Sequence, residues 1–348
     1  MQKNVIEEDI EKILNDSNIE WNLFDGRSIV ITGATGLIGS LLTKALLKYA
    51  GKTSNPPVVN VLVRNTEKAE IIFREYKNSS LNIVAFNLEK PLETDIKADY
   101  IIHTASVTDS ISFVKSPVET IHTAINGTDN ILKYAVQQKC KKFIYLSSME
   151  VYGSPADDSE IYENHSTNLD TMAVRSCYPE GKRMCENLCA SYSSEYNLDV
   201  SVIRLTQTIG AGIGYNDRRV FAEFARCAIE NRNIVLHTEG KTKRNYLYTA
   251  DAVRAILTVL LKGRNGEAYN CANSETYCSI RDMAELVAGI SGKINVEIQL
   301  DDINKFGYAP TLCMNLNTDK LKELGWNAEY NLKDMFERMI DYLERSEK

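Results

Sequence analysis

Ser28-Ile29-Val30-Ile31-Thr32-Gly33-Ala34-Thr35-Gly36-Leu37-Ile38-Gly39 is the stretch on which the fold turns. Its first five residues form a short apolar run closed by a turn, the pattern of a buried strand. Leu37, Ile38, Leu41, Leu42, Ala45 and Leu46 then recur at helical spacing, so the segment reads strand, turn, helix. Glycines at 33, 36 and 39 let the backbone turn sharply, admit a pyrophosphate and seat the helix on the strand. The N–H groups that open the helix would face the phosphates. Gly33, Thr35, Gly36, Leu37, Ile38 and Gly39 are therefore the expected phosphate-facing set of a dinucleotide site.

Working outward, Val5, Ile6, Ile10, Ile13 and Leu14 mark an amphipathic helix ahead of the first strand. Further apolar strands are expected at 58–63, 83–86, 100–103, 143–146 and 200–205, with long helices at 117–138 and 179–196. Strands alternating with helices over this length predict an α/β fold with a Rossmann-type doubly wound parallel sheet. Beyond Gly210 the pattern breaks into shorter pieces: helices near 219–231, 250–262, 279–290 and 331–344, and strands near 234–236 and 245–248. The expected organisation is a helical extension at 1–25, a dinucleotide-binding domain at 26–210 and, at 211–348, mainly a smaller α/β substrate lobe with some segments returning to the Rossmann core.

Composition narrows the partners. The 348 residues are 44% hydrophobic and 25% charged, with 7 Pro and 18 Gly, which is ordinary for a globular chain. A net charge of -7 offers no basic footprint for nucleic acid or an anionic membrane, so small molecules are the expected ligands. The residues after Met1 lack the basic and apolar regions of a secretory signal, and no uncharged run reaches membrane-spanning length. The 8 cysteines are scattered without a CxxC or neighbouring histidines, so no metal site is expected and the thiols read as reduced and cytoplasmic. Asp157-Asp158 and Asp301-Asp302 read as solvated loops, Cys185 and Cys189 as helix packing, and His103 as lining the cofactor cleft.

Two further signals carry chemistry. The second strand ends Leu62-Val63-Arg64-Asn65, where dinucleotide folds commonly place an acid for the ribose hydroxyls. An arginine there can pair with a 2′-phosphate, so NADP is favoured slightly over NAD. Tyr178-Pro179-Glu180-Gly181-Lys182 puts a phenol at a helix start and an ammonium one turn later on the same face. A lysine cation, together with a nicotinamide's charge, would bring the phenolate within reach near neutral pH and make Tyr178 a general base.

The TGATGLIG turn, His103-Thr104-Ala105, Ser147-Ser148-Met149-Glu150-Val151-Tyr152-Gly153 and the Tyr178/Lys182 pair occur in the order found in the extended short-chain dehydrogenase/reductases. The chain resembles their NAD-dependent epimerase/dehydratase family of nucleotide-sugar enzymes from about residue 28 to 345. Arg175-Ser176-Cys177-Tyr178-Pro179-Glu180-Gly181-Lys182-Arg183 and Asn216-Asp217-Arg218-Arg219-Val220 look most like the UDP-glucuronate decarboxylase (UDP-xylose synthase) branch. The resemblance implies that Ser148 holds the sugar 4-hydroxyl, Tyr178 takes its proton, Lys182 orients the nicotinamide ribose, and Glu150 is the glutamate shared by decarboxylases and dehydratases. It also implies that Asn87, Leu88, Thr104 and Ala105 border the cofactor, and that Ser106, Met149, Arg175, Gln207, Arg219 and Arg244 border the sugar nucleotide. A homodimer through the helices at 117–138 and 179–196 is implied as well.

Departures from the family pattern shape the expected reaction. Met149 stands where dehydratases carry an acid and decarboxylases a serine, and a thioether cannot protonate a leaving hydroxyl. Ala124, Asn87 and Gln207 replace an asparagine, an aspartate and an asparagine of the pattern. The expected activity is oxidation of a nucleotide-diphosphate uronate at carbon 4, followed by decarboxylation or 4-epimerisation, with the diphosphate near Arg218, Arg219 and Arg244 and the Arg244 guanidinium, alongside Glu150, suited to the sugar carboxylate. The alternatives are a nucleotide-hexose 4,6-dehydratase of the dTDP-glucose type, and a non-catalytic NAD(P)-sensing protein that has no use for the Ser148/Tyr178/Lys182 set.

Overall fold

Alternating apolar side chains build a sheet buried on both faces. The computed structural model describes residues 4–300 and 311–346. Strands β1 (Ser28–Thr32), β2 (Val58–Val63), β3 (Leu81–Ala85), β4 (Tyr100–His103), β5 (Lys142–Ser148), β7 (Val200–Leu205) and β11 (Glu267–Cys271) lie in the order β11-β7-β5-β4-β1-β2-β3. Every pairing in this sheet is parallel. Parallel strands need covered faces, and the period of two supplies both. Ile29, Ile31, Ile102 and Ile144 face one apolar layer, while Val30, Ile101, Phe143 and Tyr145 face the other.

On the first face lie α1 (Val5–Leu14), α2 (Leu37–Ala50) and α8 (Thr249–Lys262). The second is covered by α5 (Pro117–Gln137) and α6 (Cys177–Tyr196), which pack on each other. Helix α1 is also locked by charge: Asp9 accepts from Tyr248 and Arg338, and Asp16 takes the Arg254 guanidinium at 2.6 Å.

A smaller sheet hangs from the C-terminal edge of the large one. β8 (Gln207–Ile209) follows β7 after Thr206 alone, and β12 (Asn273–Ser279) follows β11 after Ala272 alone. With β10 (Lys243–Tyr248), β14 (Cys313–Leu316) and β6 (Glu160–Ile161) they form the order β12-β10-β14-β6, with β8 paired to β10. Helices α7 (Val220–Glu230), α9 (Ile280–Ser291) and Leu332–Ser346, and the pair β9 (Ile234–Leu236) with β13 (Val296–Ile298), complete this part.

The third strand starts two residues earlier than its apolar run indicates, and the strand expected at 245–248 begins at Lys243. Helices α3 (Thr66–Phe73) and α4 (Ser110–Lys115) are additions to the sequence reading. Asp157 and Asp158 lie in an exposed loop, as expected, and the Asp158 carboxylate also holds Lys243 at 2.9 Å and the Tyr277 hydroxyl, tying that loop to β10 and β12. Asp301 and Asp302 lie outside the described residues.

Candidate active site

The chain leaves β1 toward β2 and leaves β4 toward β5, so the loops after these neighbouring strands diverge and open a crevice at the strand C-termini. Both loops are locked together there. Gly33 adopts φ +69°, and a Cβ on it would lie 2.6 Å from Thr104 Oγ1 and 2.7 Å from the Ala105 nitrogen. Thr104 Oγ1 donates to the Thr32 carbonyl at 2.7 Å, and the Ala105 N–H donates to Thr32 Oγ1 at 3.2 Å.

Gly39 seats α2 on the strand, since a Cβ there would meet the Gly33 carbonyl oxygen at 2.4 Å. Gly36 is exposed and has only that same oxygen near its open side, at 3.3 Å. As N-cap of α2 it provides no side-chain cap. The first turn of α2 thus presents N–H groups over a position with no Cβ, a cradle fitted to a pyrophosphate. Thr35, Leu37 and Ile38 line the same turn and are partly exposed.

Around this turn, Arg64 is exposed at the end of β2, while its neighbour Asn65 is occupied in capping α3. Asn87 is exposed beyond β3, its Oδ1 accepting from the Glu89 N–H at 3.1 Å. Leu88 packs against Gly127 of α5.

His103 departs from the expectation that it lines the cleft. It is 2% exposed and lies between Thr32 Oγ1 (2.7 Å from Nδ1) and Thr128 Oγ1 (3.2 Å from Nε2). Burial, aided by the Lys182 charge, pushes its pKa down to about 3, so it is a neutral core side chain behind the Thr32 hydroxyl.

β5 delivers Ser148 to its C-terminal end, and a 3₁₀ turn, Met149–Tyr152, follows at once. Helix α6 begins at Cys177, one residue before Tyr178, so the phenol sits in its first turn. Lys182, 3% exposed, donates to the Leu146 carbonyl at 2.7 Å and lies 4.8 Å over the Tyr145 ring and 6.0 Å from the Tyr178 ring centroid. Burial pulls its pKa down to about 8. Tyr178 is pushed up by burial and by the Glu150 charge, against the downward pull of a Ser148 hydrogen bond and of Arg175. In this environment the phenol is protonated at neutral pH, so whatever ionises it must arrive with the ligands.

The sequence-nominated sugar residues divide. Arg175 grips Glu150 at 2.8 and 3.3 Å rather than standing free. Arg219 is held by Asp217 at 2.8 and 3.0 Å, and Arg218 is exposed with its charge felt by Asp109 at the start of α4. Met149 is 5% exposed, its sulfur accepting from Thr206 at 3.4 Å. Ser106, partly exposed, donates to the Val107 carbonyl at 3.2 Å. Gln207 pairs in register with Tyr246 on β10, and Arg244 lies two residues before Tyr246, across a shift of register in the β10–β12 pairing. Gln207 Oε1 and Arg244 Nε are both buried without a hydrogen-bond partner in the protein.

Two features have no sequence signal. The Phe113 ring on α4 stacks on Tyr178 with centroids 4.3 Å apart and planes 16° apart. Beneath Ser148, Ser147 Oγ donates to Glu186 at 2.5 Å, and Glu186 is gripped by Arg204, which also reaches the Tyr152 hydroxyl at 3.0 Å. This network fixes the strand end and the following turn from below.

Over 327 residues the chain is 27% identical to UDP-glucuronic acid decarboxylase 2 of Arabidopsis thaliana, spanning 92% of this chain and 69% of that one. Over 270 residues it is 28% identical to UDP-glucuronic acid decarboxylase 1 of Xenopus tropicalis, spanning 77% and 61%. The fold matches UDP-glucose 4-epimerase from Thermotoga maritima with a TM-score of 0.78 at 21% identity, covering 92% and 100% of the two chains. It matches UDP-glucuronic acid 4-epimerase from Bacillus cereus, in complex with UDP-glucuronic acid and NAD, with a TM-score of 0.76 at 23% identity, covering 92% and 99%. Residues 29–272, well over half the chain, match the family described as NAD dependent epimerase/dehydratase, and the protein belongs to that family of extended short-chain dehydrogenase/reductases.

Proposed function

We propose that the protein oxidises a nucleotide-diphosphate hexuronate at carbon 4 and then decarboxylates or epimerises the 4-keto sugar. The observation that carries this reading is the convergence of Ser148 and Tyr178 at the end of β5, with Lys182 buried beneath them and the Glu150–Arg175 pair beside them. The open Gly36 position and uncapped start of α2 fit a dinucleotide, and exposed Arg64 favours NADP at its 2′-phosphate. Such a dinucleotide supplies the hydride acceptor.

The chain's own residues then have distinct tasks. Ser148 orients the 4-hydroxyl and Tyr178 accepts its proton. Lys182, anchored on Leu146, holds its charge under the phenol. Arg244 and Gln207 offer their unpaired buried atoms to the diphosphate and the sugar. Arg219 is less available because Asp217 already takes its fork.

A 4-keto uronate is a β-keto acid: its C5–C6 bond breaks to release carbon dioxide, the electron pair passes to the ketone as an enolate, and a proton from water returns to carbon 5, so no acid is needed at a leaving hydroxyl. Elimination of a 6-hydroxyl would need a proton donor at the Met149 position, and a buried thioether cannot provide one. The decarboxylase relatives point the same way. Supplying UDP-, dTDP-, GDP- and CDP-linked hexoses and uronates, and following carbon dioxide, product mass and sugar NMR, tests the proposal. Loss of carbon dioxide or a 4-epimer from a uronate is expected. A product lighter by one water from a neutral hexose, with no uronate turned over, overturns it.

A further inference from the structure

Glu150 and Arg175 meet through two hydrogen bonds, Nη1 to Oε2 at 2.8 Å and Nη2 to Oε1 at 3.3 Å, the planar grip of a guanidinium on a carboxylate. Both ends are tied to the reacting group. The Glu150 N–H donates to Ser148 Oγ at 3.2 Å. Arg175 lies in the 3₁₀ turn Val174–Ser176, which runs straight into α6 and Tyr178. Its guanidinium lies 5.7 Å from the centroid of Phe113, the ring stacked on Tyr178.

The pair is open to arriving ligand: the Arg175 side chain is 40% exposed and that of Glu150 27%. A half-exposed ion pair adds little to folding, about 0–1 kcal/mol. Arg183 is committed to the Val151 and Thr167 carbonyls and Arg204 to Glu186, whereas Arg244 on β10 keeps an unpaired Nε and is assigned above to the nucleotide part of the substrate. A hexuronate carries its carboxylate on carbon 5, next to the carbon 4 whose hydroxyl would face Ser148 and Tyr178.

We infer that Arg175 binds the substrate's carboxylate and that Glu150 occupies that place in the unliganded chain. This rests on the uronate reading above. The exchange swaps one carboxylate for another on the same fork, so no charge is left unpaired on Arg175. A neutral hydroxymethyl group offers Arg175 a single uncharged acceptor in place of the Glu150 carboxylate, a poor exchange. The pair therefore discriminates uronates from hexoses.

Titration calorimetry in a Tyr178→Phe background without added dinucleotide, where turnover has neither its base nor its hydride acceptor, tests this with UDP, UDP-glucose and UDP-glucuronate. The parent should prefer the uronate over the hexose. Arg175→Gln should abolish the preference by raising the uronate Kd about tenfold or more, the loss of a hydrogen bond to a charged group, with UDP and UDP-glucose unchanged. Glu150→Gln, which removes the competitor, should tighten the uronate. NAD affinity measured on each variant reports intact folding. If Arg175→Gln does not fold, Glu150→Gln decides alone: tightening supports the inference and weakening overturns it. A preference that survives Arg175→Gln overturns the inference and leaves the uronate reading standing. A parent without any preference overturns the uronate reading itself, and the inference with it.

Discussion

Gly39→Ala and Gly36→Ser should separate stability from cofactor binding within a single turn. A Cβ at 39 would sit 2.4 Å from the Gly33 carbonyl oxygen and 3.0 Å from Ala34 Cα. Both obstacles are backbone, in a turn already closed by the Gly36 N–H to Gly33 carbonyl bond at 3.0 Å, so the helix has to lift from the strand. Overpacking of this kind costs about 1–3 kcal/mol. Each kcal/mol moves Tm by about 2–4 °C in a chain of 150–250 residues, and by less in a longer one, so a loss of a few degrees is expected. At Gly36 the backbone (φ -85°, ψ 173°) suits serine, whose Cβ would meet only the Gly33 carbonyl oxygen, at 3.3 Å, a far smaller clash than at Gly39. A serine there would cap α2 by accepting from an N–H of its first turn, the donor an anion needs. Losing one hydrogen bond to a charged group is worth about 1.5–3 kcal/mol, so the dinucleotide Kd should rise about ten- to a hundred-fold while Tm falls less than in Gly39→Ala. Scanning calorimetry of the free protein and titration with NAD and NADP read the two effects. Unweakened binding in Gly36→Ser, or an unchanged Tm in Gly39→Ala, would refute the account of the turn.

Four further outcomes follow from the same geometry. Tyr178→Phe keeps the ring on Phe113 but removes the proton acceptor, so turnover should fall about 10²–10⁴-fold with dinucleotide affinity unchanged; a variant keeping more than about half the rate places the base elsewhere. Arg64→Ala should weaken NADP and leave NAD untouched, and equal NADP affinity in both proteins would remove Arg64 from the cofactor site. Val118 on α5 and Met184 on α6 are 62% and 48% exposed, and a homodimer should cover them; a monomer mass by light scattering at micromolar concentration counts against it. Burial pushes Asp9 up from 3.8 to about 6 despite Arg338 and Tyr248, so the folded state holds that proton more tightly than the unfolded chain. The stability this group contributes is full below about pH 4 and is lost as pH rises through about 6. Asp9→Asn should flatten that decline in urea unfolding across the interval, leaving the part due to Asp251, which burial also raises to about 6; an unchanged slope would refute the assignment.

Strands covered on both faces must be apolar throughout, and that is why β1, β2, β4, β5 and β7 are legible as runs in the sequence. β11, Glu-Ala-Tyr-Asn-Cys, joins the same sheet and is not legible, because its polar residues are satisfied by partners far along the chain. Asn270 donates to the Ile161 and Asn317 carbonyls and accepts from the Tyr152 hydroxyl, all while fully buried. β12 hides itself similarly: Thr276 receives the Tyr246 N–H and donates to the Tyr246 and Asn273 carbonyls. A buried polar residue with a distant partner looks like a surface residue until the partner is known. Helix α4 escapes for a different reason, since the six residues Ser110–Lys115 hold too few turns to show a period.

Within the site, spacing finds what one turn of backbone brings together. Gly33, Gly36 and Gly39 share a turn, and Tyr178 and Lys182 share a helix face. No spacing rule joins Phe113 to Tyr178 or Glu150 to Arg175, because the fold alone places α4 and the turn after β5 beside α6. His103 is the instructive case, since its position was within reach of a strand count. Ile101 faces the α5 and α6 layer, so His103, two residues on, must face it too, toward Phe143 and Tyr145 and away from the opening. Lys182 enters that layer from α6 and lies over the same Tyr145 ring. A charged imidazole there would set two cations against each other in a dry interior. Burial instead keeps His103 neutral down to about pH 3, and Lys182 retains its charge up to about pH 8. The neutral ring fixes the Thr32 hydroxyl, which receives the Ala105 N–H at the crevice. The positive charge beneath the phenol is therefore the lysine's, and the histidine serves the site through the loop it holds.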